Sequence, residues 1–582
     1  MEKYPPHHQK ISTKKPRTQR PHQGKLGMSE ANIATRLVKA AKIHPYRKAV
    51  ICHSGRDRDG RVAYTHLTFE QLDEQSNRLA AGLADKGVAK GVRTILMVKP
   101  SLDFFTIIFA LFKAGAIPVV VDPGMGVARM AACLKESDPE AFIGIPIAHV
   151  LRKILPSYFR NVRIFVTAGK RWFWGGATIH QLRDRTRGPF RMVDTAADDT
   201  AAILFTTGST GPAKGVIYTH GNFDAQLHQI KTHLNLTGNE IDLSTFPLFA
   251  LFWPALGITS VIPDMDPTRP AFVNPAKIIE AIRNQGVTTM FASPALLNRV
   301  GAYGRKKRIK VPSLKRVICA GAPVFPANIE QFSSLLGEDA EIQTPYGATE
   351  AVPVLSISGG EILSETRQLS EKGYGMCVGQ PINSIPVRII RISDDPIQEW
   401  SDDLVMEDGK IGEIVVSGPL VTGGYYKRPK DDALSKIQDK DRFWHRMGDV
   451  GWKDEKGRFW FCGRKTQRVV TDPDEEPMFT VPCEAIFNRH SGVYRSALVG
   501  IGPKEYKKPV ICIELKKGAP RSKWGREKIR RELMDLAAEN PLTRKINTIL
   551  FHKSFPVDIR HNSKIFREQL TVWAEKKIGS KG

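Results

Sequence analysis

Apolar and polar positions alternate in two ways along the first 380 residues. Short apolar, β-branched runs such as VAYTHLTF, RTILMV and IPVVVD predict strands, and the segments between them carry apolar residues at helical spacing. EQLDEQSNRLAAGLADKG is one such predicted helix, in which Thr68 and Gln71 form a capping-box signal at the start and Gly87 ends the helix. Strands and helices in regular alternation predict an α/β body built on a mainly parallel sheet.

The pattern changes twice further along the chain. VTTMFAS, LKRVICAG and AEIQTPYG continue the strands of the body, and each runs into a polar or glycine turn. Beyond about residue 380, VRIIRI, KIGEIVVSG and GRFWFCGR are typical of antiparallel strands. After Arg464 a smaller α+β unit contains SALVGIG, KPVICIEL and the helix RSKWGREKIRRELMDLAA. We predict an N-terminal domain over 28–464, with a β-rich subdomain at about 380–464, and a C-terminal domain over 465–582.

The composition is that of a globular chain. It has 582 residues, of which 41% are hydrophobic and 25% charged, a length that corresponds to several compact units. The most apolar stretch, Phe104 to Phe112, is stopped by Lys113, so it predicts a buried helix and not a membrane span. Residues 1–27 are polar and basic, and we expect them to form a disordered tail.

Charge and cysteine content narrow the classes of partner. The seven cysteines include no CxxC pair, which argues against a zinc site and a disulfide framework and favours the cytoplasm. The net charge of +26 suits anionic substrates, acidic proteins or a membrane face, so peripheral membrane association is an alternative location. No nucleic-acid-binding motif accompanies the charge, so no specific nucleic-acid partner is expected. The basic cluster GRKKRIK, Gly304 to Lys310, is predicted to be a solvated loop.

TTGSTGPAKG, Thr206 to Gly215, follows the apolar run AAILF and concentrates glycine, hydroxyl residues and one lysine in ten positions. Backbone N–H groups and hydroxyls in such a loop can point at oxyanions, while glycine admits close approach. The spacing fits neither a Walker A loop nor a dinucleotide fingerprint. On composition alone, a phosphate site and a flexible surface loop both remain open.

Five motifs in order resemble the adenylate-forming enzymes, which include acyl-CoA synthetases, luciferases and peptide-synthetase adenylation domains. They are TTGSTGPAKG, YGATE at Tyr346 to Glu350, MGD at Met447 to Asp449, GR at Gly463 and Arg464, and a lysine in the final segment. The resemblance covers about residues 30 to 570 and favours the phosphate interpretation of the glycine-rich loop. It implies that the N-terminal domain binds AMP and that the C-terminal domain is a mobile lid.

The resemblance also implies an ATP site. In these enzymes the glycine-rich loop folds over the β- and γ-phosphates, a backbone strip and an aromatic ring flank adenine, and a carboxylate binds the ribose hydroxyls. The corresponding positions are Thr206, Thr207, Gly208, Ser209, Thr210, Gly211, Lys214, Gly321, Ala322, Pro323, Tyr346, Gly347, Thr349, Glu350, Asp449, Arg464 and Lys564.

Three of these positions are implied to be catalytic: Lys564, Glu350 and Thr206. Lys564 corresponds to the lysine that reaches the substrate carboxylate and the α-phosphate. Glu350 and Thr206 are the implied ligands of Mg²⁺, a hard cation that prefers oxygen. ATP and Mg²⁺ are therefore the expected cofactors.

Several positions depart from the acyl-CoA synthetases. PLFALFWPALG places Ala250 where that group usually has a histidine or aromatic residue gating the thiol tunnel. The loop from Lys465 to Pro482 contains no glycine against which a pantetheine arm could pass, and Thr466 stands at the usual hinge aspartate. These departures argue against CoA as the second nucleophile.

PLFALFWPALG, PYGATEAVPV and PVDIRHNSKIFRE resemble the olefin β-lactone synthetases of bacterial long-chain hydrocarbon biosynthesis. That family adenylates a long-chain 2-alkyl-3-hydroxy fatty acid, and the 3-hydroxyl then closes a β-lactone, with AMP and pyrophosphate as the other products. The resemblance implies a complex with a β-lactone decarboxylase and an NADPH-dependent reductase. The candidate alkyl pocket, whose members would serve equally as core, is Phe249, Ala250, Phe252, Trp253, Ala351 and Val352.

Two alternatives remain. A long-chain fatty-acyl-CoA or fatty-acyl-AMP ligase with a divergent tunnel would release AMP in a CoA-dependent way. A non-catalytic scaffold is argued against by the joint presence of Thr206, Lys214, Glu350, Asp449 and Lys564.

Overall fold

The computed structural model describes residues 31–185, 190–206, 212–246, 251–558 and 564–579. Among the helices in those ranges, none combines the length and the apolar character that crossing a bilayer requires. The predicted tail, residues 1–27, lies outside the described residues.

The strands fall into three sheets. In chain order they are β1 (Lys48–Arg56), β2 (Val62–Thr68), β3 (Arg93–Met97), β4 (Ile117–Val121), β5 (Ala141–Gly144), β6 (Ile164–Thr167), β7 (Ala177–Thr178), β8 (Thr200–Thr206), β9 (Lys214–Thr219), β10 (Ile241–Ser244), β11 (Thr259–Ile262), β12 (Thr289–Ala292), β13 (Arg316–Cys319), β14 (Glu341–Ala348), β15 (Ala351–Ser358), β16 (Met376–Pro381), β17 (Val387–Ile390), β18 (Gly412–Val416), β19 (Lys436–Asp439), β20 (Arg442–Lys453), β21 (Phe459–Arg464), β22 (Val493–Ile501), β23 (Lys508–Leu515) and β24 (Ile549–Phe551).

The helices mostly connect these strands. They are α1 (Thr35–Ile43), α2 (Phe69–Ala84), α3 (Leu102–Lys113), α4 (Val127–Ser137), α5 (Pro146–Ile154), α6 (Ile179–Arg185), α7 (His220–His233), α8 (Phe252–Ala255), α9 (Pro275–Gln285), α10 (Pro294–Lys307), α11 (Pro326–Ser333), α12 (Gly359–Glu361), α13 (Arg367–Glu371), α14 (Pro429–Ser435), α15 (Thr480–Asn488), α16 (Lys523–Ala538) and α17 (Arg567–Gly579). A π-helical turn, Ile362–Thr366, joins α12 to α13.

The body contains two large sheets where the sequence predicted one. The first has seven strands in the order β7-β6-β5-β3-β4-β8-β9, parallel except for the β8–β9 pair. The second has fourteen strands and runs β17-β18-β20-β21-β16-β15-β14-β13-β12-β10-β11-β1-β2, with β19 paired to β20. Its strands from β11 to β14 are parallel, and the predicted antiparallel strands beyond residue 380 extend the same sheet.

One core lies between the two sheets. It combines apolar residues of α2, α3 and α7 with residues of β1 in the larger sheet and of β3, β5 and β8 in the smaller one. Both local predictions for this region are confirmed: Thr68 and Gln71 form a capping box, and Phe104 to Phe112 is buried within α3. A second core packs α9, α10 and α11 against the larger sheet.

The structure adds to the sequence interpretation at two basic positions, Lys113 and the cluster from Gly304. Lys113, which ends the apolar run, is itself fully buried and donates to Asp73, Ser76 and Asn77 of α2. The basic side chains of the cluster from Gly304 to Lys310 are largely exposed as predicted, but Gly304 to Lys307 form the last turn of α10 and only residues 308–310 are non-helical. The amphipathic face of α10 continues to Gly304, so tertiary packing holds the final turn in place.

The C-terminal residues form their own α+β unit. β22, β23 and β24 make a three-stranded sheet covered by α15, α16 and α17. Ion pairs hold this unit against the body: Asp394 pairs with Arg468 at 3.0 Å and with Lys504 at 3.3 Å. All seven cysteines are buried and free.

Candidate active site

A cleft of about 2330 Å³ lies where the two large sheets and the C-terminal unit meet. It is lined by strand ends and turns of the larger sheet, by α3 and α5 of the smaller-sheet layer, and by the segment before α17. Of the residues singled out in the sequence, the described part of the chain places these at its wall: Gly321, Ala322, Pro323, Tyr346, Gly347, Thr349, Glu350, Val352, Asp449, Arg464 and Lys564. Residues up to 243 positions apart in sequence, from Gly321 to Lys564, therefore share one cleft.

Asp449 is the centre of a hydrogen-bonded group at one end of this cleft. It lies on β20 directly opposite Arg464 of β21, and Arg464 Nη1 donates to Asp449 Oδ1 at 2.6 Å. The Tyr346 hydroxyl donates to the other carboxylate oxygen, also at 2.6 Å. The Asp449 carboxylate raises the pKa of Arg464. Burial is the main cause of the raised pKa of Tyr346, and the Asp449 carboxylate is the second cause. The carboxylate is therefore fixed between two donors.

The position before Arg464, occupied by Gly463, requires a residue without a side chain. Its φ is +131°, and a Cβ at this position would collide with the Thr480 hydroxyl at the start of α15. Glycine thus allows the first helix of the C-terminal unit to approach the strand that carries Arg464. This contact explains the GR pair in structural terms.

Glu350 lies in the turn between β14 and β15, which pair through Ala348 and Ala351. Its Oε1 accepts a hydrogen bond from the Tyr425 hydroxyl at 2.7 Å, and its backbone oxygen accepts one from Thr422 N at 2.9 Å. Burial and the nearby Glu350 carboxylate raise the pKa of Tyr425. Tyr425 therefore remains a hydrogen-bond donor that fixes Glu350 at the cleft wall.

Lys214 begins β9, and its register partner on β8 is Thr206. Its ammonium group pairs with Asp431 at 2.7 Å and lies 4.9 Å from the centre of the Tyr425 ring. Lys214 does not line the cleft, although Tyr425 links it to Glu350. The residues between, Thr207, Gly208, Ser209, Thr210 and Gly211, lie outside the described residues, as does the side chain of Thr206.

Lys564 reaches the cleft from the C-terminal unit. Its backbone oxygen accepts from Asp558 N at 2.9 Å, and Val557 bridges to Ile565. Three residues later, Arg567 opens α17 and forms a bidentate pair with the buried Glu484 of α15, with the shorter contact at 2.8 Å. These contacts anchor the segment that carries Lys564.

The residues of the predicted alkyl pocket do not all line the cleft. Val352 lines the cleft, whereas Ala351 and Trp253 are buried in core clusters and do not line it. Phe249 and Ala250 lie outside the described residues, as does the side chain of Phe252. Apolar residues that the sequence did not single out form much of the wall instead: Leu96, Phe104, Ile108, Val120, Ile145 and Leu151.

The sequence analysis missed several polar residues around Glu350. Lys436 is partly buried and donates to Thr422 O, and burial lowers its pKa to about 8 although Glu350 and Asp432 favour its charged form. Tyr218 donates to Thr349 O, and Gln226 donates to Val352 O at 2.9 Å. No motif marks these positions, since a lysine in a strand or a glutamine in a helix is ordinary in sequence.

Asp242 is a further buried carboxyl group, in the middle of β10. Ser244, which lines the cleft, donates to it at 2.7 Å, and Thr289 of β12 donates at 3.2 Å. Burial raises the pKa of Asp242 to about 7. Its neighbours in the sheet are thus arranged around a carboxyl group that the protein interior tends to keep protonated.

Within the described residues, no three His, Cys, Asp or Glu side chains gather closely enough to hold a metal ion by themselves. Glu350, the cleft carboxylate proposed to bind Mg²⁺, fits that ion only where a ligand supplies further oxygens. This is the coordination that Mg²⁺ adopts with nucleotide phosphates.

Comparisons with known proteins agree on one family. Residues 37–426 match the family described as AMP-binding enzyme. The chain is 46% identical over 550 residues to the olefin beta-lactone synthetase of Xanthomonas campestris, covering 93% of this chain and 97% of that protein. It is likewise 46% identical over 558 residues to the olefin beta-lactone synthetase of Stenotrophomonas maltophilia, covering 94% and 98%. The long-chain-fatty-acid–CoA ligase of Salmonella typhimurium is 26% identical over 467 residues, covering 75% and 78%.

Solved structures show the same architecture. The amide bond synthetase McbA from Marinactinospora thermotolerans superposes with a TM-score of 0.75 at 20% identity, covering 93% of this chain and 99% of that one. ATP-bound MatB from Rhodopseudomonas palustris gives a TM-score of 0.73 at 18% identity, covering 93% and 98%. Likeness at this level of identity concerns the fold, which extends over nearly the whole chain.

Proposed function

We propose that this chain, which belongs to the AMP-binding enzyme family and within it groups with the olefin beta-lactone synthetases, converts a long-chain 2-alkyl-3-hydroxy fatty acid and ATP into a β-lactone, AMP and pyrophosphate. The observation that carries the proposal is 46% identity along nearly the full length of two such synthetases. The fatty-acyl ligases are more distant.

In the first step a carboxylate oxygen of the substrate attacks the α-phosphorus of ATP, and pyrophosphate leaves. Asp449 would accept hydrogen bonds from the ribose hydroxyls while Arg464 and Tyr346 hold it in place. Lys564 would neutralise charge on the carboxylate and the α-phosphate. Because Asp449, Arg464 and Tyr346 are held by one another before the substrates bind, they can orient ATP with little reorganisation.

Glu350 and the loop that ends at Lys214 would bind the phosphates of ATP. Glu350 would hold Mg²⁺ together with phosphate oxygens, and that ion supplies positive charge against the departing pyrophosphate. Lys214 would exchange its ion pair with Asp431 for the nucleotide phosphates. Thr206 to Gly211 would surround the same phosphates, as the family resemblance implies.

In the second step the 3-hydroxyl oxygen attacks the acyl carbon, the bond from that carbon to the AMP oxygen breaks, and the hydroxyl proton is released. The nucleophile belongs to the same molecule as the electrophile, so no tunnel for an external thiol is needed. The glycine-free segment from Lys465 to Pro482 supports this, since Val469 and Met478 pair there and are buried. The apolar cleft wall supports alkyl chains as the rest of the substrate.

The experiment incubates the protein with ATP, Mg²⁺ and matched acids with or without a 3-hydroxyl, in the presence and absence of CoA. We expect AMP and a product lighter than the 3-hydroxy acid by one water, seen by mass spectrometry without CoA. Lys564→Ala is the control and should give neither product. A thioester formed only when CoA is present would support the fatty-acyl-CoA ligase instead and contradict the proposal.

We further propose that the chain acts beside the enzymes that remove the product, a β-lactone decarboxylase and an NADPH-dependent reductase of the same pathway. Near-full-length similarity to the two synthetases supports this partnership. Co-purification of the three proteins at equal stoichiometry is the expected result, and separate elution at physiological salt would contradict it.

A further inference from the structure

Gln226 on α7 presents an unusual polar group at the cleft. Its side chain lines the cleft and is buried, with 1% of its surface exposed. Its amide nitrogen Nε2 donates to Val352 O at 2.9 Å and approaches the Tyr218 hydroxyl at 3.4 Å. Its carbonyl oxygen Oε1 has no hydrogen-bond partner among the described residues. A buried acceptor without a partner is costly and points to a ligand donor.

The orientation of this amide follows from its neighbours. Val352 O is a backbone carbonyl, which can only accept, so the Gln226 nitrogen must face it. A flipped amide would place two acceptors against each other and would leave both donors unused. The oxygen therefore occupies the other branch of the amide, away from Val352.

The same contacts place Gln226 beside the turn that carries Glu350. Val352 follows Glu350 by two residues, and Tyr218 donates to Thr349 O in the turn that carries Glu350. A 3-hydroxyl is only two carbons from the carboxylate that is adenylated. A carboxylate positioned near Glu350 and Lys564 therefore brings its 3-hydroxyl to this part of the wall.

We propose that Gln226 Oε1 accepts a hydrogen bond from the 3-hydroxyl of the substrate and selects 3-hydroxy acids over acids without that group. The inference rests on the proposed function and names the residue that recognises its nucleophile. An amide is not a base at neutral pH, so Gln226 orients the hydroxyl and does not remove its proton. It is a specificity residue that touches the substrate.

The expected discrimination is substantial. A 3-deoxy acid fills the same space but leaves the buried carbonyl unpaired, and sites built to pair with a hydroxyl reject analogues that lack it. We expect the wild-type protein to adenylate the 3-hydroxy acid at least about tenfold more efficiently, as kcat/KM, than the matched deoxy acid.

The experiment measures ATP–pyrophosphate exchange with both acids for the wild type and Gln226→Leu. Leucine fills nearly the same volume without an acceptor. We expect the preference to fall to within about twofold, because the hydroxyl now loses its partner and the deoxy acid meets an apolar wall. ATP affinity and thermal stability are measured in parallel, and Gln226→Met is the second variant should the leucine protein fail to fold.

Gln229→Leu is the matched control. Gln229 lies on the same helix and contacts Asn383 outside the cleft, so this variant should keep the wild-type preference. Tyr218→Phe removes a neighbouring hydroxyl but leaves the Gln226 carbonyl, and it should lower the rates with both acids while keeping their ratio.

Two results overturn the inference: a wild-type protein with no preference for the 3-hydroxy acid, or a preference of tenfold that survives in folded Gln226→Leu or Gln226→Met. Neither result depends on lactone formation, since exchange reports adenylation alone. Intact discrimination with no lactone would count against the proposed function and leave the role of Gln226 standing.

Discussion

At the proposed nucleotide end of the cleft, Asp449 already accepts hydrogen bonds from Tyr346 and Arg464. At the acyl end, Gln226 carries a buried carbonyl oxygen with no partner among the described residues. The first arrangement is complete before a ligand arrives, so it can orient charge without reorganising. The second gains a partner only from a suitable ligand, so it discriminates between ligands.

This difference separates catalysis from selection. ATP is common to the whole family, and a pre-formed site for it needs no choice between ligands. The acid differs between members, and the part of the cleft proposed to bind it consists of apolar surface with a few polar groups. The predictions below test each end in turn, beginning with the residue that joins them.

The largest effect is expected from Lys564→Ala. Removing the ammonium group should lower adenylate formation by at least about 10²-fold, because it is proposed to stabilise charge at the reacting carboxylate and phosphate. ATP affinity should change little, because Asp449, Arg464 and Tyr346 keep their contacts. Pyrophosphate exchange measures the first quantity and calorimetry the second. Exchange at the wild-type rate would refute the assignment.

Asp449→Ala should come next and should act on binding. The substitution removes the proposed ribose acceptor and leaves Arg464 and Tyr346 without their shared partner. We expect ATP affinity to fall by about 10- to 100-fold, as for the loss of charged hydrogen bonds. Calorimetric titration with ATP is the measurement, and an unchanged dissociation constant would argue against a ribose role.

Tyr346→Phe tests the same group of hydrogen bonds with a smaller change. It removes one donor to Asp449 but retains the ring proposed to lie against adenine, so ATP affinity should weaken by about fivefold. A loss as large as that of Asp449→Ala would mean that the hydroxyl, and not the carboxylate, carries the binding energy.

The last prediction concerns the stability of the fold beneath the proposed acyl end and not activity. Asp242 has a pKa raised by burial to about 7 from 3.8, so between these pH values the folded state holds a proton that the unfolded state has lost. The contribution of Asp242 to the free energy of unfolding therefore decreases as pH rises through this window and is constant above it. Asp242→Asn removes this pH-dependent contribution to the free energy of unfolding, and the Ser244 and Thr289 hydroxyls can pair with an amide.

Relative to the wild type, Asp242→Asn should leave the free energy of unfolding nearly unchanged at pH 4. The variant should gain an advantage of about 2–4 kcal/mol by pH 8, where the folded wild type buries an ionised carboxylate. Urea unfolding of both proteins across this range measures the difference. A constant difference at every pH would contradict the assignment of the proton to Asp242.

Local signals in the sequence predicted local structure well. The Thr68 capping box, the buried helix around Phe104 and the predicted strands that run into YGATE and GR are confirmed. The predicted adenylate-forming fold and the relationship to olefin beta-lactone synthetases are confirmed as well. The roles of the site residues and the domain boundaries stay predictions.

Other predictions were wrong, and some features of the structure could not be predicted from the sequence. Periodicity predicts a strand but not which sheet receives it, so one mainly parallel sheet was expected where two occur. The fate of Lys113 depended on Asp73 reaching it from another helix, and a short basic run could not reveal that α10 continues beneath it.

The order of the elements, the chemistry-bearing motifs and their family can be read from the sequence, because each depends on residues close together along the chain. Packing of the whole chain brings Gly321, Tyr346, Asp449 and Lys564 to one cleft and pairs Asp449 with Tyr346. Packing also makes Trp253 and Ala351 part of the core, and it places Gln226 at the cleft with a carbonyl oxygen that has no partner among the described residues. Burial and hydrogen-bond partners are properties of neighbours distant in sequence, and their positions are fixed only when the whole chain packs.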